Sequence, residues 1–218
     1  MEQRAVQDAC EAAGARRPAH VIPEPLAAAI GANLPISEPV GNMVVDIGGG
    51  TSESALLSLG GVVALEAVRV GSFDIDAAIQ AYVRREYGLA IGERTAEEIK
   101  WHIGSAAPTP DEGRAEVKGR ELMSGLPKTV ILTPAEIRIA IDEPVSAIVE
   151  SVVACLAQAP AELAQDLMAQ GICLVGGGSL LHGLDIRLSE ETGVPVVPVA
   201  TPMECVVMGA GQCIESFE

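Results

Sequence analysis

Val44-Val45-Asp46-Ile47-Gly48-Gly49-Gly50-Thr51 places a β-branched apolar run, one carboxylate, a run of glycines and a hydroxyl in unbroken succession. The valines read as a buried strand, and Asp46 stands where that strand ends. Glycines lack a Cβ, so the backbone can turn sharply and bring its N–H groups close to an anion. Thr51 adds a hydroxyl donor. An acid able to hold a hydrated cation, followed by a loop able to wrap a phosphate, suits a metal–nucleotide complex. A hairpin turn with a spare aspartate is the other reading of this segment alone.

Downstream of this stretch, a second strand is expected over 52–58, with a hairpin turn at Leu59-Gly60-Gly61. A third strand is expected from Val62 to Val70, and a helix from Ile75 to Tyr87. Residues 88–132 are more polar. They hold a charged helix near Thr95 to Ile103, a loop rich in Pro and Gly, and a β-like piece at Glu116 to Lys118. Thr133-Pro134-Ala135-Glu136 is a capping box. It opens a long apolar helix running to about Ala159, which Pro144 is expected to kink or split. Ile172 to Val175 reads as a strand that runs into a second glycine turn, Gly176-Gly177-Gly178. A helix from about Ser179, an edge strand over 194–199 and a final helix capped at Thr201-Pro202 follow, with Gly209 and Gly211 permitting close packing. Upstream, residues 2–15 read as a helix, Val21-Ile22 as a strand end, and Glu24-Pro25 as the start of an alanine-rich helix. Residues 31–42 read as a connection. The order gives a mixed sheet with helices on both faces. Both glycine turns leave carboxyl ends of strands, where α/β sheets bind ligands.

Composition limits the partners. Of 218 residues, 49% are hydrophobic and 2% aromatic, with a formal charge of −16. An ordered core is expected. The acidity disfavours nucleic acid and anionic membrane surfaces, and the scarcity of aromatics disfavours stacking platforms for single strands. Cys10, Cys155, Cys173, Cys205 and Cys213 lack metal-site spacing and read as buried thiols of a reducing cytosol. No signal peptide or membrane-spanning run is read. His20, His102 and His182 are isolated. Glu93, Glu97 and Glu98 form an acidic helix face on which Lys100 could pair with Glu97. Trp101 could be a core anchor or an exposed contact.

Three motifs carry a resemblance. Asp46-Ile47-Gly48-Gly49-Gly50-Thr51 resembles the second phosphate loop of the actin/Hsp70/sugar-kinase superfamily. Ile22-Pro23-Glu24-Pro25-Leu26-Ala27-Ala28-Ala29-Ile30-Gly31 resembles the helix of its bacterial members. Leu174-Val175-Gly176-Gly177-Gly178-Ser179 resembles the adenosine motif. The wording between them, such as Tyr82-Val83-Arg84-Arg85 and Glu190-Glu191-Thr192-Gly193-Val194-Pro195, is similar to MreB-like bacterial actins along nearly the whole chain. The resemblance implies an α/β fold. That fold would be a ribonuclease H-like actin-type ATPase lobe, with a mixed five-stranded sheet flanked by helices and a small α+β insertion. Residues 1–41 would be a remnant of the first lobe and 42–218 the second, with the inserted subdomain near 88–132.

It also implies roles. Asp46 would hold Mg2+ through water, and Gly48, Gly49, Gly50 and Thr51 would meet the β- and γ-phosphates of ATP. Glu24 would polarise the attacking water, although an acid is favoured at a helix start in any case. Glu97 and Lys100 would lie near ribose and adenine, and Gly176, Gly177 and Gly178 along the nucleoside and α-phosphate. The function implied is a cytoplasmic, ATP-binding subunit or accessory of cell-shape filaments. It would associate head-to-tail with itself or with a full-length paralogue, and touch membranes at most indirectly. The first phosphate loop of the superfamily, an Asp-x-Gly-Thr segment, has no match here. Gly71-Ser72-Phe73 stands where Gly-Gly-Asp is usual, and Trp101 and His102 replace residues expected beside the ribose. Weak or absent hydrolysis is therefore expected. Truncation, gene decay or a wrong start codon would each account for the missing lobe. A non-polymerising regulator and a small ATPase or kinase of the superfamily are the alternatives.

Overall fold

The computed structural model describes residues 2–108 and 113–215. Residues 109–112, part of the expected Pro- and Gly-rich loop, lie outside the described residues. The central sheet has the strand order β3-β2-β1-β7-β8, built from β1 (Asn42–Ile47), β2 (Ser52–Ser58), β3 (Gly61–Val68), β7 (Ile172–Val175) and β8 (Val196–Pro198). The first three strands form an antiparallel meander, whereas β7 runs parallel to β1 and β8 parallel to β7. This is the expected mixed five-stranded sheet. β1 is central and every residue of it is buried, as a strand covered on both faces must be. β8 lies at the edge, where its proline costs the ladder least.

The two-residue period of β1 divides the core. Met43, Val45 and Ile47 face a large cluster with α3 (Ser72–Tyr87), α5 (Pro134–Leu156) and α7 (Leu184–Thr192). Val44 faces a smaller cluster, where Ala28 and Ala29 of α2 (Glu24–Gly31) and Cys205 of α8 (Cys205–Glu215) cover Ala55, Leu57, Cys173 and Val175. Small residues let α2 and α8 approach closely: a Cβ on Gly209 would lie 1.9 Å from the Ala27 carbonyl oxygen, and one on Gly31 1.8 Å from that of Cys205. Gly211 has open space around it, so only Gly209 performs the packing role expected of both.

The segment 88–132 holds α4 (Glu93–Ile103) and a second sheet of β4 (Leu89–Ala90), β5 (Ala115–Glu121) and β6 (Pro127–Leu132). Only the middle of β5 was legible in the sequence. β6 alternates two buried positions with exposed Lys128, Thr129 and Ile131, too faint a pattern to stand out. α6 (Ala161–Gln170) also went unread; of its residues only Leu167 is buried.

Other expectations need correction. α5 is one 23-residue helix through Pro144, so the proline does not split it. An interior proline costs about 3 kcal/mol, and the buried stripe Ile137, Ile141, Val145, Ile148, Val152 offsets it. The Thr133 cap forms as read, its side chain accepting from the Glu136 amide. Val21-Ile22 is not a strand, having no ladder partner. Past Gly178 the chain makes one short 3₁₀ turn (Gly177–Leu180), and α7 begins only after Gly183, whose φ of 70° interrupts helical backbone. α1 (Glu2–Ala12) leaves Val6 52% exposed. Cys10 is likewise exposed and Cys213 half-buried, so the buried-thiol reading holds for Cys155, Cys173 and Cys205 alone. No described helix is long and apolar enough to cross a membrane.

Candidate functional site

Parallel pairing sets Asp46 opposite Val175, so the segments 48–51 and 176–178 leave adjacent strands at the same rim. Their approach is close. Gly176 has φ 81°, and a Cβ there would meet Asp46 Oδ1 and the Ile47 carbonyl oxygen at 2.4 Å. A Cβ on Gly178 would sit 2.3 Å from Ile47 Cγ2. Neither position admits a side chain.

The first loop is pinned through its carbonyls. Thr51 O accepts from Gly48 N at 2.9 Å, Gly48 O accepts from Ser72 N at 3.0 Å and Gly49 O from Phe73 N at 2.8 Å. The Asp74 carboxylate accepts from Gly71 N at 2.8 Å. The start of α3 is thus occupied by the loop, while the amides of Gly49, Gly50 and Thr51 make no hydrogen bond among the described residues. Three consecutive free N–H groups on an exposed turn can donate to the oxygens of an anion.

Asp46 is 7% exposed and its Oδ2 has no hydrogen-bond partner among the described residues. Burial, then the charges of Glu24 and Glu53, push its carboxyl up to about 6. Glu53 pairs with Asp46 across the hairpin, and burial and Glu24 raise it too. No described salt bridge involves these three acids. The described residues hold no group of three side chains placed to ligate a metal directly. An orphaned buried carboxylate oxygen with two further acids in range fits a cation held through its water shell. Glu24 itself is exposed on the first turn of α2.

Gly48, Gly49, Gly177 and Gly178 line one cleft of about 500 Å³ with Glu97, Lys100 and Trp101. Asp46, Gly50, Thr51, Gly176 and Glu24 lie outside that lining. Lys100 does not pair with Glu97. Its ammonium is buried, hydrogen-bonding Ser72 Oγ at 2.6 Å and Asp76 Oδ2 at 3.0 Å, with Asp76 Oδ1 at 2.9 Å. Burial raises the Asp76 carboxyl and Lys100 draws it back. Lys100 therefore ties α4 to the start of α3 behind the cleft.

The chain as a whole is similar to known proteins. A family model described as MreB/Mbl protein matches residues 1–218. The chain belongs to the MreB/Mbl family. It is 50% identical over 218 residues to the cell shape-determining protein MreB of Escherichia coli (strain K12), covering all of this chain and 62% of the relative. It is 39% identical to the cell shape-determining protein Mbl of Bacillus subtilis (strain 168), covering 65% of that relative. Among solved structures it is similar to MreB5 of Spiroplasma citri bound to ADP. The TM-score is 0.93 at 33% identity, over 99% of this chain and 65% of that one. A MamK double helical filament matches with TM-score 0.71 at 25% identity, over 89% of this chain and 59% of that one. The chain thus spans under two thirds of the MreB and Mbl relatives' length.

Two residues of this candidate site escaped the sequence. Glu53 was findable, since a tight hairpin after Ile47 pairs Ser52 with Ile47 and so Glu53 with Asp46. Asp76 had no such signal, because its partner lies 24 positions away on another helix.

A carboxyl whose pKa rises on folding destabilises the fold wherever it is ionised. At Asp46 the native state holds its proton to higher pH than the unfolded chain does, between pH 3.8 and about 6, so this group's contribution to stability falls as pH rises through that window and is flat above it. Asp46→Asn is therefore expected to gain about 2–3 kcal/mol at pH 8 in metal-free buffer, and to lose much of the pH 4–6 slope. Urea unfolding at several pH values checks this; an unchanged slope contradicts it.

Proposed function

We propose that this chain is the nucleotide-binding part of an MreB-type cytoskeletal subunit in cell-shape determination, acting in the cytosol. In this reading residues 42–218 form the second actin-like lobe, carrying 88–132 as its inserted subdomain, and residues 1–41 belong to the first. The observation that carries it is the pair of glycine turns on adjacent parallel strands beside the orphaned Oδ2 of Asp46. The free amides of Gly49, Gly50 and Thr51 receive the β- and γ-phosphates of ATP. Gly176, Gly177 and Gly178 run along the α-phosphate and nucleoside, and Glu97 faces the ribose. Lys100 keeps Glu97's helix in register through Asp76. Asp46 holds Mg2+ through water, with Glu53 adding negative charge. That ion would offset phosphate charge, which an acidic chain otherwise repels. MreB5 of Spiroplasma citri, solved with ADP and with AMPPNP, supports nucleotide binding, and the MamK double helical filament supports self-association, which this reading takes to be head-to-tail.

In this reading Glu24 orients water toward the terminal phosphate. Because Glu24, Gly50 and Thr51 are all exposed, bulk water reaches that position, and slow hydrolysis follows for these 218 residues. Calorimetry with Mg-ATP tests binding: measurable heat is expected for the wild type and none for Asp46→Ala. Phosphate release is expected to lie far below that of a longer MreB relative. Sedimentation with Mg-ATP, alone and with such a relative, separates a subunit from an accessory. No heat with Mg-ATP would sink the proposal.

A further inference from the structure

Aromatic side chains are scarce in this chain, and two of the four among the described residues stand on the candidate cleft. Phe73 is 69% exposed and Trp101 61% exposed, and both line the cavity that holds the glycine turns. The other two are engaged elsewhere: the Tyr87 hydroxyl donates to Glu136 and Tyr82 lies under Arg85. The Trp101 indole N–H makes no hydrogen bond among the described residues, although an indole N–H that serves a structural purpose usually finds a partner. Phe73 is fixed from beneath, its ring filling the space where a Gly49 Cβ would fall at 2.6 Å.

Charge offers the cleft little. Glu97 is acidic, and the ammonium of Lys100 is committed to Ser72 and Asp76. Besides His182, the lining holds no other titratable side chain. Glu97 and Trp101 stand four apart on α4 and share a face. We infer that Trp101 is the platform on which the nucleobase stacks, next to Glu97 and opposite the Gly177-Gly178 turn, so that this site holds its base by an aromatic face. Base–aromatic stacking tolerates any base, so ATP and GTP are bound alike. The inference rests on the nucleotide reading above and adds the residue that grips the base.

Trp101 is the single tryptophan, so its fluorescence reports the contact directly. Wild type, Trp101→Ala and Trp101→Phe are titrated with Mg-ATP, Mg-GTP and Mg-tripolyphosphate by calorimetry, and the wild type also by emission. Mg-ATP and Mg-GTP are expected to change the emission, and tripolyphosphate, which has no base, to leave it unaltered. Trp101→Ala is expected to bind both nucleotides roughly 5- to 150-fold more weakly, with tripolyphosphate binding unchanged, and Trp101→Phe to recover most of the loss. Equal nucleotide affinity in wild type and Trp101→Ala overturns the stacking role while leaving nucleotide binding intact. Parallel loss of tripolyphosphate binding overturns it too, as a purely structural effect. Absence of Mg-ATP binding in the wild type overturns both readings together.

Discussion

Gly209→Ala is expected to lower stability by about 4 kcal/mol, among the largest effects a single methyl group produces. In a chain of this length that corresponds to a fall in melting temperature of about 10 °C. The added Cβ would lie 1.9 Å from the Ala27 carbonyl oxygen, well inside van der Waals contact, and the obstacle is backbone, which cannot rotate away as a side-chain tip can. α8 and α2 must separate by more than a rotamer change supplies. Separation opens the layer of Ala28, Ala29 and Cys205 over Val44 and Val175, so the cost adds lost burial to overpacking. Gly211→Ala, on the same helix, is the control: open space surrounds it, and relief of a helical glycine is worth up to about 1 kcal/mol of gain. Thermal melts followed by circular dichroism check the pair. Equal shifts in the two variants would show that the helix crossing is not the cause.

Lys100→Met is expected to cost about 3–5 kcal/mol at pH 7, because it leaves a buried carboxylate without its cation. Asp76 and Lys100 side chains are 10% and 8% exposed, so solvent replaces little of what is lost. The effect has a pH signature. Burial already raises the Asp76 carboxyl and Lys100 opposes the rise; without Lys100 it rises further. A carboxyl with a raised folded pKa destabilises when ionised, so the variant recovers relative to wild type as the pH is lowered. Asp76→Asn combined with Lys100→Met removes both charges and is expected to restore much of the stability. Chemical denaturation of the two single variants and the double variant tests the pairing. Simple additivity would mean that the two residues do not support each other.

The fold was largely legible because its signals are local. β1 and the hairpin into β2 needed only a β-branched run and glycines, and the Thr133 capping box needed four consecutive residues. The glycine turns were legible as loops able to approach an anion, since glycine frees the backbone; that a Cβ is barred at Gly49, Gly176 and Gly178 but not at Gly50 is a tertiary fact. What escaped depended on distant neighbours or weak amphipathicity. α6 and β6 bury too few side chains to stand out. Pro144 suggests a kink or a split because its cost is local, whereas the buried stripe that keeps the helix continuous past it is tertiary.

By itself the sequence determined the order of elements around the glycine turns, the two-faced sheet and the acid at the end of its central strand. Backbone freedom and side-chain alternation are written into neighbouring residues. Only the tertiary structure decided that Lys100 answers Asp76 rather than Glu97, that Glu53 joins Asp46, that Gly209 and not Gly211 seats a helix crossing, and that Trp101 stands open on the cleft. Pair distances, burial and the electrostatic field arise only when chain segments far apart in sequence are brought together.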